Sequence, residues 1–248
     1  MSERRTVVWF SCGAASAVTG KIASAEFPNV HLAYCQTNAE HPDNERFLND
    51  CERWIGLPVE RLQSKKYRDT WHVWEKNRYL AGIKGAPCTR ELKVEPRLAW
   101  QRPDDLHLFG YTRDSEDMER AERLRESYPE MEMRFPLIEK YITKANTLAL
   151  IDGAGIKLPP MYALGFQNNN CIPCPKATSP AYYALIRQHF PAEFNRMAAL
   201  SRKLGVRLCR IKGKRSFIDE IPDDQPTIDP IQPACDLLCQ AVEAELAQ

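Results

Sequence analysis

The sequence lacks any apolar run long enough to cross a membrane, since no stretch reaches the roughly 18–20 residues that a span requires. It also lacks a charge excess, because 34 Lys and Arg stand against 33 Asp and Glu. This balance excludes a global attraction to nucleic acid, so any basic patch must be local. No internal repeat or low-complexity block is present. The composition, 44% hydrophobic and 27% charged, predicts a soluble protein with a sizeable core.

An export signal is also missing. The pair Arg4 and Arg5 precedes apolar residues 7–10, but Gly13 interrupts the run where an export core would continue. The nine cysteines are therefore expected in a reducing cytoplasm, where clustered cysteines more often serve metal or redox chemistry. The length of 248 residues predicts one domain, over 1–220. A proline-rich tail, 221–248, is expected to fold back on that domain.

Short apolar runs alternate with helical patterns along the first half of the chain. The runs predict strands over 6–10, 31–34, 59–62, 107–109 and 131–137, and the patterns predict helices over 14–26, the second half of 35–56, and 114–127. This alternation predicts an α/β, doubly wound fold with a mainly parallel five-stranded sheet and helices on both faces. Ligands of such sheets bind where the strand order reverses, so the end of the first strand is the first place to look for a site.

The segment Ser-Cys-Gly-Ala-Ala-Ser, 11–16, leads from the first strand into the first helix. Its small residues would let a phosphate approach backbone N–H groups at the start of that helix, where the helix dipole favours an anion. The hydroxyls of Ser11 and Ser16 could add hydrogen bonds. The alternative is a tight strand-to-helix corner without a ligand. The segment is neither a Walker loop nor a G-x-G-x-x-G fingerprint.

Four further segments follow this loop in the order found in one known family. They are TNAEHPD at 37–43, CTRELKVEP at 88–96, GYTRDSEDMER at 110–120 and PPMYALGFQNNNCIPCP at 159–175. With the loop, which resembles the S-G-G-x-D-S phosphate loop, they resemble the PP-loop ATP pyrophosphatase superfamily. Within it, the chain is most similar to the branch of phosphoadenosine phosphosulfate (PAPS) reductase. The resemblance covers about residues 6–220 and implies a PP-loop, HUP-like fold.

The resemblance implies that ATP or a related adenine nucleotide binds at the carboxyl ends of the strands. The residues it marks for that role are Ser11, Cys12, Gly13, Ala14, Ala15, Ser16, Thr37, Gly110 and Arg113. The loop departs from the family pattern, with Cys12 in place of the first Gly and Ala15 in place of Asp. The missing carboxylate argues against a magnesium-assisted split of ATP and leaves a role for Mg open.

Cys171 and Cys174 form a C-x-x-C pair, whose spacing suits one zinc ion, an iron–sulfur cluster or a redox dithiol. The resemblance marks Cys88 as a third thiol and implies a [4Fe–4S] cluster. Either these three cysteines hold a cluster with one open iron, or Cys235 or Cys239 of the tail supplies a fourth ligand. The remaining thiols of the strand and helix patterns, Cys35, Cys51 and Cys209, are expected in the core.

Residues 202–215 hold seven basic residues and no acidic one. Lys212, Lys214 and Arg215 follow a predicted strand over 206–211 and are candidates for binding a phosphate or a nucleic-acid backbone, although most basic runs are simply solvated. Arg90 and Lys93 flank Cys88 and are expected to lower the pKa of a nearby thiol or to offset the charge of a cluster.

Three functions agree with these features. The first is ATP-dependent sulfur transfer to a nucleic-acid or small-molecule acceptor, with a sulfide or electron donor as further partner. The second is a sulfonucleotide reductase, although the tail offers only ACDLLC where that branch has E-C-G-L-H. The third is a nucleotide- or cluster-sensing module without turnover. A homodimer is a further expected assembly, and no membrane partner is expected.

Overall fold

The protein is described by a computed structural model that covers residues 3–83 and 85–246. Its centre is a five-stranded sheet whose strands are all parallel. The strands are β1 (Thr6–Phe10), β2 (Val30–Cys35), β3 (Val59–Leu62), β4 (Leu106–Leu108) and β5 (Glu132–Arg134). Their order is β3-β2-β1-β4-β5, so the order reverses between β1 and β4. This confirms the predicted doubly wound α/β fold.

Helices cover both faces of this sheet. They are α1 (Ala14–Glu26), α2 (Asn44–Ile55), α3 (Thr70–Asn77), α4 (Pro87–Thr89), α5 (Glu95–Trp100), α6 (Ser115–Ser127), α7 (Pro136–Glu139), α8 (Lys144–Gly153), α9 (Pro160–Ala163), α10 (Pro180–His189), α11 (Pro191–Leu204) and α12 (Leu237–Leu246). Helix α1 packs against α2, α7, α8 and α12, whereas α5 packs against β3 and follows a π-helical turn, Arg90–Val94. The described helices include none that is both long and apolar enough to span a membrane.

Two large apolar clusters, together with a small third one of Tyr67, Val73 and Leu92, stabilise the described residues. The first joins the central strands to α1, α2 and α8, and its buried members include Val8, Leu32 and Leu108, which are neighbours across three strands. The second lies outside the sheet, among α3, α10 and α11, around the fully buried Trp74 and Tyr183. The site described below lies where loops from these two clusters meet.

The chain after α11 forms a small antiparallel hairpin, β6 (Cys209–Ile211) and β7 (Lys214–Ser216). Its two-residue turn, Lys212 and Gly213, has φ angles of +48° and +81°, as a type I′ turn requires. The sequence predicted one strand over 206–211 and missed β7. β7 has only three residues and begins with Lys214 and Arg215, so its sequence lacks the alternation of apolar and polar residues that predicts a strand.

The bounds of the fifth strand also differ from the sequence prediction. The strand expected over 131–137 is shorter, because Pro136 lacks an N–H for the ladder and begins α7 instead. The tail forms α12, which packs on α1 and α8. Just before it, Ala234 donates its N–H to the Ala145 carbonyl at 3.2 Å and accepts from Asn146 at 2.8 Å.

Candidate functional site

The loop between β1 and α1 is organised around the hydroxyl of Ser16. This oxygen accepts hydrogen bonds from the backbone N–H of Ser11 at 3.0 Å and of Gly13 at 3.4 Å, and it donates to the Gly13 carbonyl at 2.9 Å. Cys12 between them has a φ of +55°, a conformation that favours the glycine of the family pattern. The Ser16 hydroxyl, expected to contact a ligand, therefore holds the loop in shape.

Two contacts fix the start of α1. The phenol of Tyr162 accepts a hydrogen bond from the Ala14 N–H at 3.1 Å and so occupies one donor of the first turn. On the other side, a Cβ at Gly110 would lie 2.8 Å from the Ser16 Cα and N atoms, so only glycine fits there. The end of β4 therefore rests directly on the first turn of α1, and the structure brings Gly110 to the loop as the sequence suggested.

Arg113 lies two residues beyond this contact, with its backbone N–H bonded to the Ile142 carbonyl at 2.8 Å. Its guanidinium lies 5.1 Å from the ring centre of Tyr141, and Nη1 lies 2.9 Å from the Met118 sulfur. Among the described residues it forms no ion pair with a carboxylate. The group therefore remains a cation that an anionic ligand could use.

A cavity of about 290 Å³ opens beside the loop, at the carboxyl ends of β1 and β2 and the start of α2. Cys12, Tyr34 and Glu40 are among the residues that line it. The Tyr34 hydroxyl donates to a Glu40 carboxylate oxygen, and the Asn44 amide lies 3.5 Å from the same oxygen. The acid at the mouth of this cavity was not singled out from the sequence, although it lies within the TNAEHPD segment.

The segment that carries the C-x-x-C pair is fastened to this part of the sheet. Asn169 donates its amide to the Cys12 carbonyl at 2.6 Å and to the Asn44 side-chain oxygen at 2.8 Å. The Thr37 hydroxyl lies 3.1 Å from the Cys171 sulfur, and the next residue along, at 172, donates its N–H to the carbonyl at 39. Thr37, expected at the nucleotide, thus contacts the thiol site, and Asn169 joins the two loops.

The three expected thiols lie close enough to influence one another's ionisation. Burial raises the pKa of Cys88, and the Trp74 side chain and Lys93 lower it only in part, while Cys174 adds to the increase. Burial likewise raises the pKa of Cys171 to about 12, against the opposing effect of Lys93. Lys93 therefore acts on these thiols in the expected direction, but the net pKa is raised because the cost of burying a thiolate exceeds the attraction of the nearby cation.

The two expected cations of this region differ in position. Burial opposes the charge of Lys93, but Cys171 and Glu40 outweigh it, so the pKa of the Lys93 ammonium is raised. Arg90 instead pairs with Glu95 at 3.1 Å, and its side chain is 76% exposed. Only the first of the two therefore offsets negative charge among the thiols.

The thiols are the right donors for an iron–sulfur cluster, which proteins hold by cysteine thiolates. The fit is in chemistry only, because residues 3–83 and 85–246 contain no group of three His, Cys, Asp or Glu side chains at metal-binding spacing. Cys235 and Cys239, one of the two alternatives for the fourth coordination position, are bonded to each other in this structure. Cys239 is fully buried, with its sulfur 4.0 Å from the Asn146 carbonyl of α8.

The basic residues after α11 lie on the β6–β7 hairpin. Arg215 donates to the Leu208 carbonyl at 3.2 Å, whereas the side chains of Lys212 and Lys214 belong to exposed residues. The Arg210 N–H donates to the Thr178 carbonyl at 2.9 Å, which ties the hairpin to the chain that leaves the C-x-x-C pair. The hairpin is therefore bonded to the segment that follows Cys174.

The expected core cysteines also have defined places. Cys51 and Cys209 are fully buried, while Cys35 is half-buried with its sulfur 3.4 Å from the Lys93 carbonyl.

No curated protein matches this sequence. Among solved structures, the PAPS reductase of Candida auris in its phosphate complex is similar at 14% identity and a TM-score of 0.49, covering 67% of this chain and 81% of that one. The U34-tRNA thiolase NcsA of Methanococcus maripaludis with its [4Fe–4S] cluster is similar at 12% identity and a TM-score of 0.40, covering 96% and 80%. The family model of the phosphoadenosine phosphosulfate reductase domain matches residues 5–177, more than half of the sequence, and the chain therefore belongs to the PAPS reductase family.

Proposed function

We propose that this protein binds an adenine nucleotide at residues 11–16 and transfers sulfur from the site of Cys88, Cys171 and Cys174 to an activated acceptor. The observation that carries the proposal is the direct connection of the two loops. Asn169 bonds the carbonyl of the nucleotide loop at 2.6 Å, and Thr37 contacts Cys171 at 3.1 Å. A nucleotide and a sulfur atom held by these loops would be neighbours.

The nucleotide half of the proposal uses backbone groups. Tyr162 occupies the N–H of Ala14, which leaves the N–H groups of the next residues in the first turn of α1 for a phosphate. The helix dipole favours an anion at this end, and the unpaired guanidinium of Arg113 adds a cation on the β4 side. Small side chains at 13–15 leave the backbone open to close approach.

The sulfur half follows from the chemistry of an adenylated acceptor. An acceptor oxygen attacks the α-phosphate of ATP and pyrophosphate leaves. A sulfur nucleophile from a sulfide donor then attacks the adjacent carbon, the C–O bond breaks, and AMP leaves with the electron pair. A cluster held by the three thiols would supply a metal centre that binds sulfide. Lys93 would balance the negative charge of thiolates and sulfur at this place.

The position of the tail favours transfer over reduction. A sulfonucleotide reductase needs a tail cysteine that reaches the sulfur of the bound nucleotide. Here Cys239 is buried against α8 and bonded to Cys235. Neither tail sulfur is a free nucleophile, so the proposal assigns the sulfur chemistry to the cysteines beside the nucleotide loop.

Calorimetry with AMP and ATP tests the nucleotide site. Gly13→Asp places a carboxylate where the phosphate would lie, and we expect affinity to fall at least about tenfold by charge repulsion. Ser127→Asp is the matched control, since it adds the same charge at an exposed residue that ends α6, before the amino end of β5 and therefore away from the strand ends that carry the loop. Equal affinities for wild type and Gly13→Asp would remove the assignment.

Pyrophosphate release separates turnover from sensing. The proposal expects release from ATP when the acceptor and a sulfide donor are present. Binding of ATP without release under those conditions would contradict sulfur transfer and favour the sensing module, in agreement with the missing loop carboxylate at Ala15.

A further inference from the structure

The β6–β7 hairpin, which we call the cationic hairpin (209–216), presents charge without acidic partners. Arg210, Lys212 and Lys214 are exposed, and none of them forms an ion pair within the described part of the chain. By contrast, Arg202 just before it is neutralised by Asp219 at 3.0 Å and by the following glutamate. In a chain of formal net charge +1, three adjacent unpaired cations form a local positive surface.

The hairpin holds these charges in a fixed position. Cys209 is fully buried and Leu208 and Ile218 are nearly so, all within the second apolar cluster. Arg210 and its cross-strand partner Arg215 lie on the face opposite Cys209. Lys214 lies on the Cys209 face near the turn, where it is exposed, and the left-handed turn places Lys212 at the tip. Charges on a packed, hydrogen-bonded ribbon lose less freedom on binding than charges on a mobile tail.

The hairpin flanks the cysteine site. Its Arg210 N–H bonds the carbonyl at 178, four residues after the second cysteine of the C-x-x-C pair. The Tyr183 hydroxyl bonds the carbonyl at 177 at 3.1 Å, which fixes the same segment from beneath. Cys88 and the residue at 172 pack against the apolar cluster that also holds Leu208 and Cys209. A long anionic molecule lying on the ribbon would therefore pass beside the thiols.

We propose that the cationic hairpin binds the phosphodiester backbone of a nucleic acid, and that this nucleic acid is the sulfur acceptor of the site. The second half of the statement rests on the proposed function. Unpaired Lys and Arg side chains on a rigid ribbon are the groups that neutralise backbone phosphates. The ribbon presents no large exposed apolar side chain, as insertion into a lipid surface would need.

Fluorescence anisotropy with labelled RNA and DNA oligonucleotides tests the surface. The variant Arg210→Gln/Lys212→Gln/Lys214→Gln removes three exposed cations and changes none of the buried residues of the ribbon. The control Arg53→Gln/Arg123→Gln/Lys157→Gln makes the same charge change at exposed residues of the sheet domain. Circular dichroism melts establish that both variants fold.

We expect the hairpin variant to bind at least about tenfold more weakly at roughly 0.1 M salt, with the control close to wild type. Each lost phosphate contact also lowers the slope of log affinity against log salt by about 0.7–0.9. Comparison of the affinities for RNA and for DNA shows which of the two nucleic acids the hairpin prefers. Equal weakening in both variants would mean a general charge effect and overturn the proposal, as would tighter binding to phosphatidylserine vesicles than to either oligonucleotide.

The two proposals fail separately. AMP calorimetry on the same variants reports the nucleotide loop alone, and we expect unchanged affinity in the hairpin variant. Wild-type protein that binds AMP but no oligonucleotide would remove the acceptor assignment and leave the nucleotide site standing. Oligonucleotide binding without AMP binding would do the reverse.

Discussion

His107 is the central residue of β4 and is buried, with 2% exposure. Its imidazole accepts a hydrogen bond from the Trp9 indole at 3.1 Å. Burial lowers its pKa from the ordinary 6.5 to about 4; Asp105 opposes the shift, and Arg97, Arg5 and Arg4 add to it. In the unfolded chain His107 therefore binds a proton as the pH falls through 6.5, whereas in the folded chain it binds one only near pH 4. Stability from this group is present above pH 6.5 and is lost as the pH falls towards 4.

The difference between these two pKa values corresponds to roughly 3 kcal/mol. We expect the free energy of unfolding, measured by urea titration with tryptophan fluorescence, to fall by an amount of that order between pH 6.5 and 4. His107→Asn keeps an acceptor for the Trp9 indole but cannot titrate, so its unfolding free energy should fall less over this window. Parallel profiles for the two proteins would contradict the prediction.

Gly110 is a position where the addition of a single Cβ atom is expected to affect both stability and nucleotide binding. A Cβ there would meet the backbone of Ser16 at 2.8 Å, and backbone cannot move aside as a side chain can. We expect Gly110→Ala to cost about 1–3 kcal/mol of stability and to weaken AMP binding at least about tenfold, because it pushes β4 away from α1.

Gly153→Ala is the control for this change, since its Cβ would meet only the flexible end of Glu243. Helix α8 should tolerate it or gain a few tenths of a kcal/mol. Thermal melting and calorimetry measure both variants. If Gly110→Ala binds AMP like wild type, the contact between β4 and the loop plays no part in the site.

At the scale of elements, the sequence predicts the pieces that have a strong apolar pattern. The predicted bounds of β1, α1 and β3 equal the observed ones. Their apolar runs and the run of small helix-forming residues in α1 start and stop clearly in the sequence. The chain between β3 and β4 was not assigned. Trp71 and Trp74 of α3 belong to the second apolar cluster and Leu92 of the π-helical turn belongs to the small third one, so tertiary contacts hold these elements rather than a local pattern.

The contact between the nucleotide loop and the cysteine loop could not be predicted either. It depends on Asn169, one of three consecutive asparagines, and sequence alone does not say which of them is buried. The structure shows 5% exposure for Asn169 and an exposed Asn170 beside it. The buried amide of Asn169 donates to two oxygens of other elements and so links the two loops, a link we call the latch, whereas the Asn170 amide is exposed to solvent.

Asn169→Asp tests this latch. The change replaces the donor by a carboxylate facing the Cys12 carbonyl and the Asn44 oxygen, so two acceptors lose their partner and gain a negative neighbour. We expect a loss of about 1–3 kcal/mol in unfolding free energy and weaker AMP binding.

Asn170→Asp makes the same chemical change one residue later and should alter neither quantity. Denaturant unfolding and AMP calorimetry check both. Equal behaviour of the two variants would mean that the loops are not coupled through Asn169.

At the scale of the whole molecule, Cys88 and the C-x-x-C pair come from two distant parts of the chain, and both parts contact the second apolar cluster. Cys88 packs against the second cluster, while Cys171 is held on the exit of β2. Motif order and the C-x-x-C spacing predict that the three thiols share one site, which stays a prediction because residues 3–83 and 85–246 contain no group of three His, Cys, Asp or Glu side chains at metal-binding spacing. The role of the tail was not predictable, since two cysteines four residues apart on a helix suit a ligand, a core contact or a bond to each other.

The cluster prediction belongs to this scale. We expect protein prepared without oxygen to contain iron and inorganic sulfide in near-equal amounts. Replacement of Cys88, Cys171 or Cys174 by Ala should abolish the iron and the visible absorbance, because each removes a thiolate ligand. Cys51→Ala is the matched control, since it also removes one thiol, but from α2, where that side chain is fully buried.

The tail variants decide which kind of site the thiols form. Cys235→Ala and Cys239→Ala should keep the iron, because the structure bonds these sulfurs to each other against α8. A cluster that depends on only three cysteines leaves a coordination position for sulfide, as sulfur transfer requires. Loss of iron in a tail variant would instead mean that the tail rearranges and supplies the fourth ligand. Wild-type protein free of iron would remove the cluster from the proposed function. The nucleotide loop and the cationic hairpin would still be tested by their own measurements.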